Sequence, residues 1–142
     1  MYGALDISTS GMTAQRSRMA AIAANIANRD TILDANGNVN PYRARHVHLA
    51  PGDPTARSAS GKSLGVHVAR IELDQGEFNY RWDPSNPLAM KDGKWKGYVP
   101  APNINPVIEQ LNAMEAARAY EANVVAAETT KQMIGQSLRL LA

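Results

Sequence analysis

The sequence predicts a mainly α-helical chain with a small β insertion, its long N- and C-terminal helices packed as an elongated, antiparallel coiled-coil-like pair. Three observations carry this. The first 27 residues hold seven alanines and no proline, the chain from Val107 onward is again proline-free, and residues 29–103 hold seven of the eight prolines and seven of the ten glycines. Proline in a helix interior costs about 3 kcal/mol, so long helices are confined to the two ends. The implied division is 1–28 for the N-terminal helix, 29–103 for the insertion and 104–142 for the C-terminal helix.

In the first segment Leu5, Met12, Met19 and Ile26 recur every seven residues, with Ile22 on the intervening row. That is an amphipathic helix with a coiled-coil seam. Ser8 and Gln15 dilute the intervening row, and Gly3 and Gly11 weaken the start, so this helix is marginal alone and requires a partner. In the last segment Leu111, Met114, Ala117, Tyr120, Val124, Ala127, Ile134, Leu138 and Leu141 recur at steps of three, four or seven. The consecutive three-residue steps through Met114, Ala117 and Tyr120 act as a stammer, and Lys131 falls within the seam, which excludes a straight, uniform two-stranded coil. Met12, Met19, Met114 and Met133 are read as packing material, since methionine fills irregular gaps. With apolar faces awaiting a partner, both termini are expected to be disordered in the free monomer.

The insertion is punctuated by turn signals at Asn36-Gly37, Asp53-Pro54, Asp83-Pro84 and Asp92-Gly93. Short strands are expected over 42–49, 65–73 and 77–82, where apolar and polar residues alternate. Residues 55–63, rich in Ser, Ala, Gly and Lys, are expected to form a mobile loop.

Composition narrows the function. A chain of 142 residues fits one domain, and with only eight aromatic residues alanine must do much of the packing. Zero cysteines exclude disulfides, thiolate metal sites and cysteine nucleophiles. The formal charge of +2 is spread without the clustered basic stripe that phosphate-backbone binding prefers. No stretch approaches the roughly 20 apolar residues of a membrane span. Residues 1–10 lack the cationic start and apolar run of a secretory signal peptide, so any export is expected to follow another route.

His46 and His48 would share one strand face, and His67 on the next strand could complete a three-histidine metal site, but no carboxylate supports it. Asp34, Asn36, Asn38 and Asn40 alternate like the start of a calcium loop, yet Val39 stands where the loop's glycine belongs and Arg45 where its glutamate belongs. A hairpin turn at Asn36-Gly37 explains the run better. With no phosphate loop, nucleophile elbow or zinc-protease motif, no enzyme activity, catalytic residue, cofactor or metal is expected. Tyr80, Trp82, Trp95 and Tyr98, interleaved with Arg81, Lys91, Lys94 and Lys96, read either as the insertion's own core or as a stacking platform for single-stranded nucleic acid. Asn25, Asn28 and Asn123 lie on alanine-rich helical segments, where Asn is a poor helix former. Each either ends or decorates its own helix, or bonds across an interface and fixes register.

The run Asn25-Ile26-Ala27-Asn28-Arg29-Asp30-Thr31 resembles the N-I-A-N-x-x-T signature of bacterial flagellar rod and hook proteins. The stretch from Tyr98 through Asn103, Asn105 and Pro106, then Glu109, Met114 and the run Ala117-Arg118-Ala119-Tyr120-Glu121-Ala122-Asn123, resembles the proximal rod proteins of that family. Pro41-Tyr42-Arg43, Gly65-Val66-His67-Val68 and Asp83-Pro84-Ser85-Asn86-Pro87 fall in the same order, so the resemblance covers nearly the whole chain. Arg29-Asp30 before the threonine, Trp82, Ser85-Asn86 and Lys94-Trp95-Lys96 depart from the usual pattern.

The resemblance implies a structural subunit of the flagellar basal-body proximal rod, assembling helically into the drive shaft that transmits torque. It implies a place in the rod, in the periplasmic space, reached through the flagellar type III export apparatus without a cleaved signal peptide. The implied partners are copies of itself, other rod and basal-body proteins and that apparatus, with no nucleic acid, membrane insertion or small-molecule substrate. Helix packing and assembly then fall to Leu5, Met12, Met19, Ile22, Ile26, Leu111, Met114, Tyr120, Val124, Ile134, Leu138 and Leu141. Register and motif roles fall to Asn25, Asn28, Thr31, Asn103, Asn105, Pro106, Arg118, Glu121 and Asn123. The competing class is a helical adaptor or nucleic-acid-binding module, whose affinity for nucleic acid would fall steeply with salt.

Overall fold

The structure is a computed structural model that describes residues 2–141, with side chains over 3–140. Its elements run α1 (Tyr2–Ala27), β1 (Arg45–Pro51), α2 (Ala59–Leu64), β2 (Val66–Leu73), β3 (Asn79–Trp82), β4 (Tyr98–Ala101) and α3 (Pro106–Leu141). The chain is therefore mostly helical, with two long terminal helices and a β region of two separate two-stranded sheets.

Both long helices end where local chemistry stops them. At the end of α1 the Asn28 side chain donates to the Ala24 carbonyl (2.9 Å) and accepts from the Thr31 hydroxyl (3.1 Å), while Thr31 N–H bonds the Asn28 carbonyl (3.0 Å). Asparagine and threonine three apart thus satisfy carbonyls that a helix end leaves open. At the start of α3, Asn105 is the N-cap: its side chain accepts from Val107 N–H (3.0 Å) and its carbonyl from Glu109 N–H (3.0 Å). Pro106 occupies the first helical position, where a missing N–H costs nothing.

β1 and β2 form an antiparallel ribbon with a bulge between His48 and Leu49. The connection between them contains α2, so the mobile loop expected over 55–63 is instead largely a capped short helix. Ser58 caps it by accepting from Gly61 N–H (3.0 Å). Two side chains of α1 tie this region down: Asp6 accepts from Ser58 N–H (3.0 Å) and Ser10 from Val66 N–H (3.0 Å). A Cβ at Gly61 would lie 2.9 Å from the Asp6 Cβ, so only glycine permits that approach. Sequence composition suggested a solvated loop because these tethers come from a helix more than 50 residues away.

β3 and β4 pair antiparallel around Val99, which is almost wholly buried. β4 carries Pro100, a residue that argues against a central strand but fits an edge, and in a two-stranded sheet both strands are edges. That is why 98–101 did not read as a strand. The turn around Asn36-Gly37 is present as expected: Leu33 bridges Val39, and the Asp34 carboxylate accepts from the N–H groups of Asn36 and Asn38, both at 2.9 Å. These bonds, led by that from Asn38, hold the Asp34 carboxyl below its ordinary value.

Candidate assembly interface

α1 and α3 lie side by side. A Cβ on Gly11 would fall 2.7 Å from the Asn123 side chain, Arg18 pairs with Glu115 (3.3 Å), and Asn25 bonds Glu109 (3.1 Å). The contacts climb α1 as they descend α3, so the two helices run in opposite directions. Between them the buried residues are small or polar: Ser8, Gly11, Ala21, Asn25, Glu109 and Ala116, with Ile22 the largest apolar member. Glycine and alanine let two backbones approach closely, which leaves no room for a methionine or leucine knob at the same level.

Asn25 is the centre of this arrangement. It is 1% exposed, and every hydrogen-bonding position of its amide is filled. Its Nδ2 donates to Glu109 Oε2 (3.1 Å) and to the Arg45 carbonyl (3.1 Å). Its Oδ1 accepts from Arg45 N–H (2.8 Å) and the Tyr42 hydroxyl (3.2 Å). The amide therefore pairs with the first residue of β1 much as a strand would, while also holding α3. One side chain joins α1, α3 and the β1–β2 ribbon, and the buried Glu109 carboxylate keeps a donor that its burial demands.

The three amides divide between the two possibilities. Asn25 bonds across elements, Asn28 closes its own helix, and Asn123 donates to Ala119 of its own helix (2.8 Å) while its other face receives Gly11. Asn103 and Thr31 are exposed, and Asn105 and Pro106 build the start of α3. Arg118 and Glu121 are exposed and, among the described residues, form no ion pair; the helix-to-helix pair is instead Arg18 with Glu115. The residues that sequence periodicity missed are Gly11, Arg18, Glu115 and Ala116. Their signal was a seven-residue spacing of Gly11, Arg18 and Asn25, which a search for large apolar side chains passes over.

The apolar seam also needs correction. Leu111, Met114 and Leu138 do not pack on α1 within this chain, being 60%, 53% and 62% exposed. Leu5, Met12, Met19 and Ile26 are only half-buried, and of that set Ile22 alone is buried. Tyr120, Val124 and Ile134 are half-buried on α3, and the side chain of Leu141 lies outside the described residues. The reason is geometric: the seam is turned toward the small residues, so the larger row of α1 lies beside it and Leu111 and Met114 point to the opposite side of α3.

The other constellations resolve locally. His67 Nδ1 donates to the Gly52 carbonyl (2.6 Å), His48 faces Glu72 (3.0 Å), and no group of three potential metal ligands occurs among the described residues. Tyr80 and Trp95 stack at 4.3 Å with planes 2° apart, and Tyr98 meets both Trp82 and Trp95 edge-on. These rings use each other's faces, as an internal cluster does. Asp53 accepts from the Thr55 hydroxyl (2.6 Å) and N–H (2.9 Å), bonds that hold its carboxyl below the ordinary value, with His67 nearby adding to the effect. Among the described residues no helix is long and apolar enough to cross a membrane.

Comparison with known proteins places this geometry. Residues 5–32 match the family of flagella basal body rod proteins, and residues 96–140 match the C-terminal family of the flagellar basal body rod FlgEFG proteins. These two segments contain the interface helices and the caps that bound them. The flagellar basal-body rod protein FlgC of Bacillus subtilis is 36% identical over 149 residues, covering 98% of this chain and 97% of its own. That of Borreliella burgdorferi is 34% identical over 150 residues, covering 99% and 97%, and that of Escherichia coli O157:H7 is 38% identical over 139, covering 95% and 93%. The chain belongs to the FlgC family of flagellar basal-body rod proteins and is a structural subunit of the rod, not an enzyme.

Proposed function

We propose that this chain assembles helically with copies of itself and with other axial proteins into the proximal rod, the shaft that transmits torque for motility. In this reading segments 1–28 and 104–142 form an inner antiparallel coiled-coil-like unit, and 29–103 faces neighbouring subunits. The observation that carries it is the inversion of the helix pair: its interior is built of small and polar residues, while Leu111, Met114, Val125 and Leu138 are exposed. Apolar side chains gathered on long helices and left in water mark a surface that another molecule covers. Neighbouring subunits are that molecule, and contacts repeated without closing give a filament that resists twisting.

The same reading places the rod in the periplasmic space and has the chain reach it through the flagellar type III export apparatus, its N-terminal region directing export without being cleaved. A chain with no cysteine suits passage in an unfolded state. In the free monomer the helices are weakly held, since the apolar area they bury alone is small. Deleting the gene in its native host tests the assignment. The expected result is a non-motile cell with an incomplete rod, rescued by the wild-type chain; normal swimming with an intact rod contradicts it.

A further inference from the structure

Trp82, Asn86 and Lys96 come from three separate stretches that depart from the usual pattern of the family, and the fold brings them to one groove of about 690 Å³. Pro84, Pro87, Ala89 and Met90 supply its apolar lining, and Lys91 adds a second cation. Trp82 is the ring that the aromatic cluster does not use up. Tyr80 and Trp95 stack face on face, whereas Trp82 keeps 61% of its surface exposed. The exposed ring is nevertheless held in place. Tyr98 meets it edge-on, and Gly97, at φ +81°, backs its six-membered ring so closely that a Cβ there would lie 2.6 Å away. A large aromatic surface fixed in position and left in water is a stacking platform, because a ligand that covers it costs little side-chain freedom.

The chemistry of the groove selects its ligand. Lys91 and Lys96 are exposed and, among the described residues, form no ion pair, whereas Arg81 faces Asp83 at 3.9 Å and Lys94 lies over Trp95. Two unpaired ammonium groups favour an anion. An extended peptide needs main-chain partners, and the groove offers few. Pro84 and Pro87 have no N–H, and the N–H groups of Asn86, Ala89, Met90 and Gly97 are spent on the carbonyls of Asp83, Asn86, Tyr98 and Met90. A single-stranded nucleic acid stacks successive bases on successive rings, and of the four rings in this cluster Trp82 alone is exposed. A saccharide needs only one, since a pyranose lays its C–H face on an indole while its hydroxyls stay in water. We propose that this groove binds a carboxylate-bearing glycan, with one sugar ring stacked on Trp82 and carboxylates meeting Lys91 and Lys96. The site adds to the rod-subunit reading and does not depend on it.

The test titrates the isotope-labelled full chain with a tetrasaccharide of alternating N-acetylglucosamine and N-acetylmuramic acid, and with chitotetraose, which has the same backbone without carboxylates. The indole N–H signal of Trp82, identified by its loss in Trp82→Phe, reports contact by NMR, and calorimetry gives the affinity. A saturable shift of that signal is the expected result, with the carboxylate-bearing probe bound about fivefold more tightly than chitotetraose. Replacing both cations, Lys91→Gln with Lys96→Gln, is expected to abolish that preference. Trp82→Ala is expected to weaken binding of both probes about tenfold, while Lys62→Ala binds as wild type does. The lysine pair lies on exposed positions and decides the matter where Trp82→Ala disturbs the aromatic cluster. No saturable shift with either saccharide overturns the proposal. Equal binding of the two saccharides overturns it by removing the lysines from the site. Tighter binding of an oligothymidylate or a hexaglutamate peptide overturns the choice of ligand. None of these results bears on whether the chain is found in purified rods, so the rod-subunit reading stands or falls separately.

Discussion

The β3–β4 region and the helix pair handle their apolar side chains in opposite ways. In the first, Tyr80 stacks on Trp95, Tyr98 fits against both tryptophans, and Val99 is buried at the centre. In the second, the centre is Asn25, Glu109 and Ala116, and the leucines face out. The first region engages its rings with one another around Val99, although Trp82 keeps 61% of its surface exposed. A region that spends its interior on register-fixing polar bonds and keeps its leucines outside is complete only in an assembly.

Targeted substitutions break or sharpen this contrast. The largest loss of monomer stability is expected from Asn25→Ala, which leaves Glu109 and the Arg45 backbone unpaired in a buried site. A loss of about 3 kcal/mol follows from the cost of stranded buried polar groups, and a denaturant midpoint within experimental error of wild type contradicts the central role given to this amide. Gly97→Ala attacks the other region. Gly97 has φ +81°, and its Cβ would lie 2.6 Å from the Trp82 ring. A loss of about 2 kcal/mol is expected from backbone strain and ring displacement together, read in the same denaturation experiment.

Gly11→Ala is a finer probe, because helix propensity favours the change by about 1 kcal/mol while Asn123 occupies the space. The substitution is expected to stabilise the chain by about that amount in an Asn123→Ala background and to give no gain in the native one. Equal effects in both backgrounds in a double-mutant cycle would remove Gly11 from the interface. Leu111→Asp, on an exposed position, is expected to change monomer stability by less than about 0.5 kcal/mol, yet to abolish swimming and rod completion. Ile26→Asp is expected to abolish both as well, whereas Lys62→Ala on exposed α2 leaves them unchanged. Swimming by the Leu111→Asp strain would mean that the outward face is not an assembly surface.

The smallest effect concerns pH. The folded carboxyl of Asp53 lies below its ordinary value, chiefly through the Thr55 hydroxyl. Its contribution to stability is therefore present above the unfolded pKa and lost as pH falls through the folded one. Thr55→Ala is expected to return the Asp53 titration, followed by NMR, toward the ordinary carboxylate range and to flatten the acid limb of stability at that site. An unchanged titration would show that the Thr55 bonds do not set it.

Much of the fold was legible because it is written in local chemistry. The absence of proline fixed the two helices, Asn36-Gly37 marked its turn, and alternation placed β1, β2 and β3 to within a few residues. What was not legible depended on distant partners. Residues 55–63 look like solvated linker until Asp6 and Ser10 of α1 are seen to hold their surroundings. Leu111 and Met114 satisfy a seam periodicity as well as any core residue does, since periodicity finds an apolar stripe without saying which molecule covers it. Asn25, Asn28 and Asn123 read alike in the sequence, and only the crossing of α1, α3 and β1 distinguishes Asn25 from Asn28, whose bonds close within one turn.

The central claim is that the outward leucines of the helix pair are buried by neighbouring subunits and not by this chain. Thiol labelling of a Leu111→Cys variant tests it directly, compared between the isolated chain and purified rods, with Lys62→Cys as a control on exposed α2. The account predicts rapid labelling of both positions in the isolated chain and strong protection of position 111 alone in the rod. Equal reactivity of position 111 in the two states would contradict it.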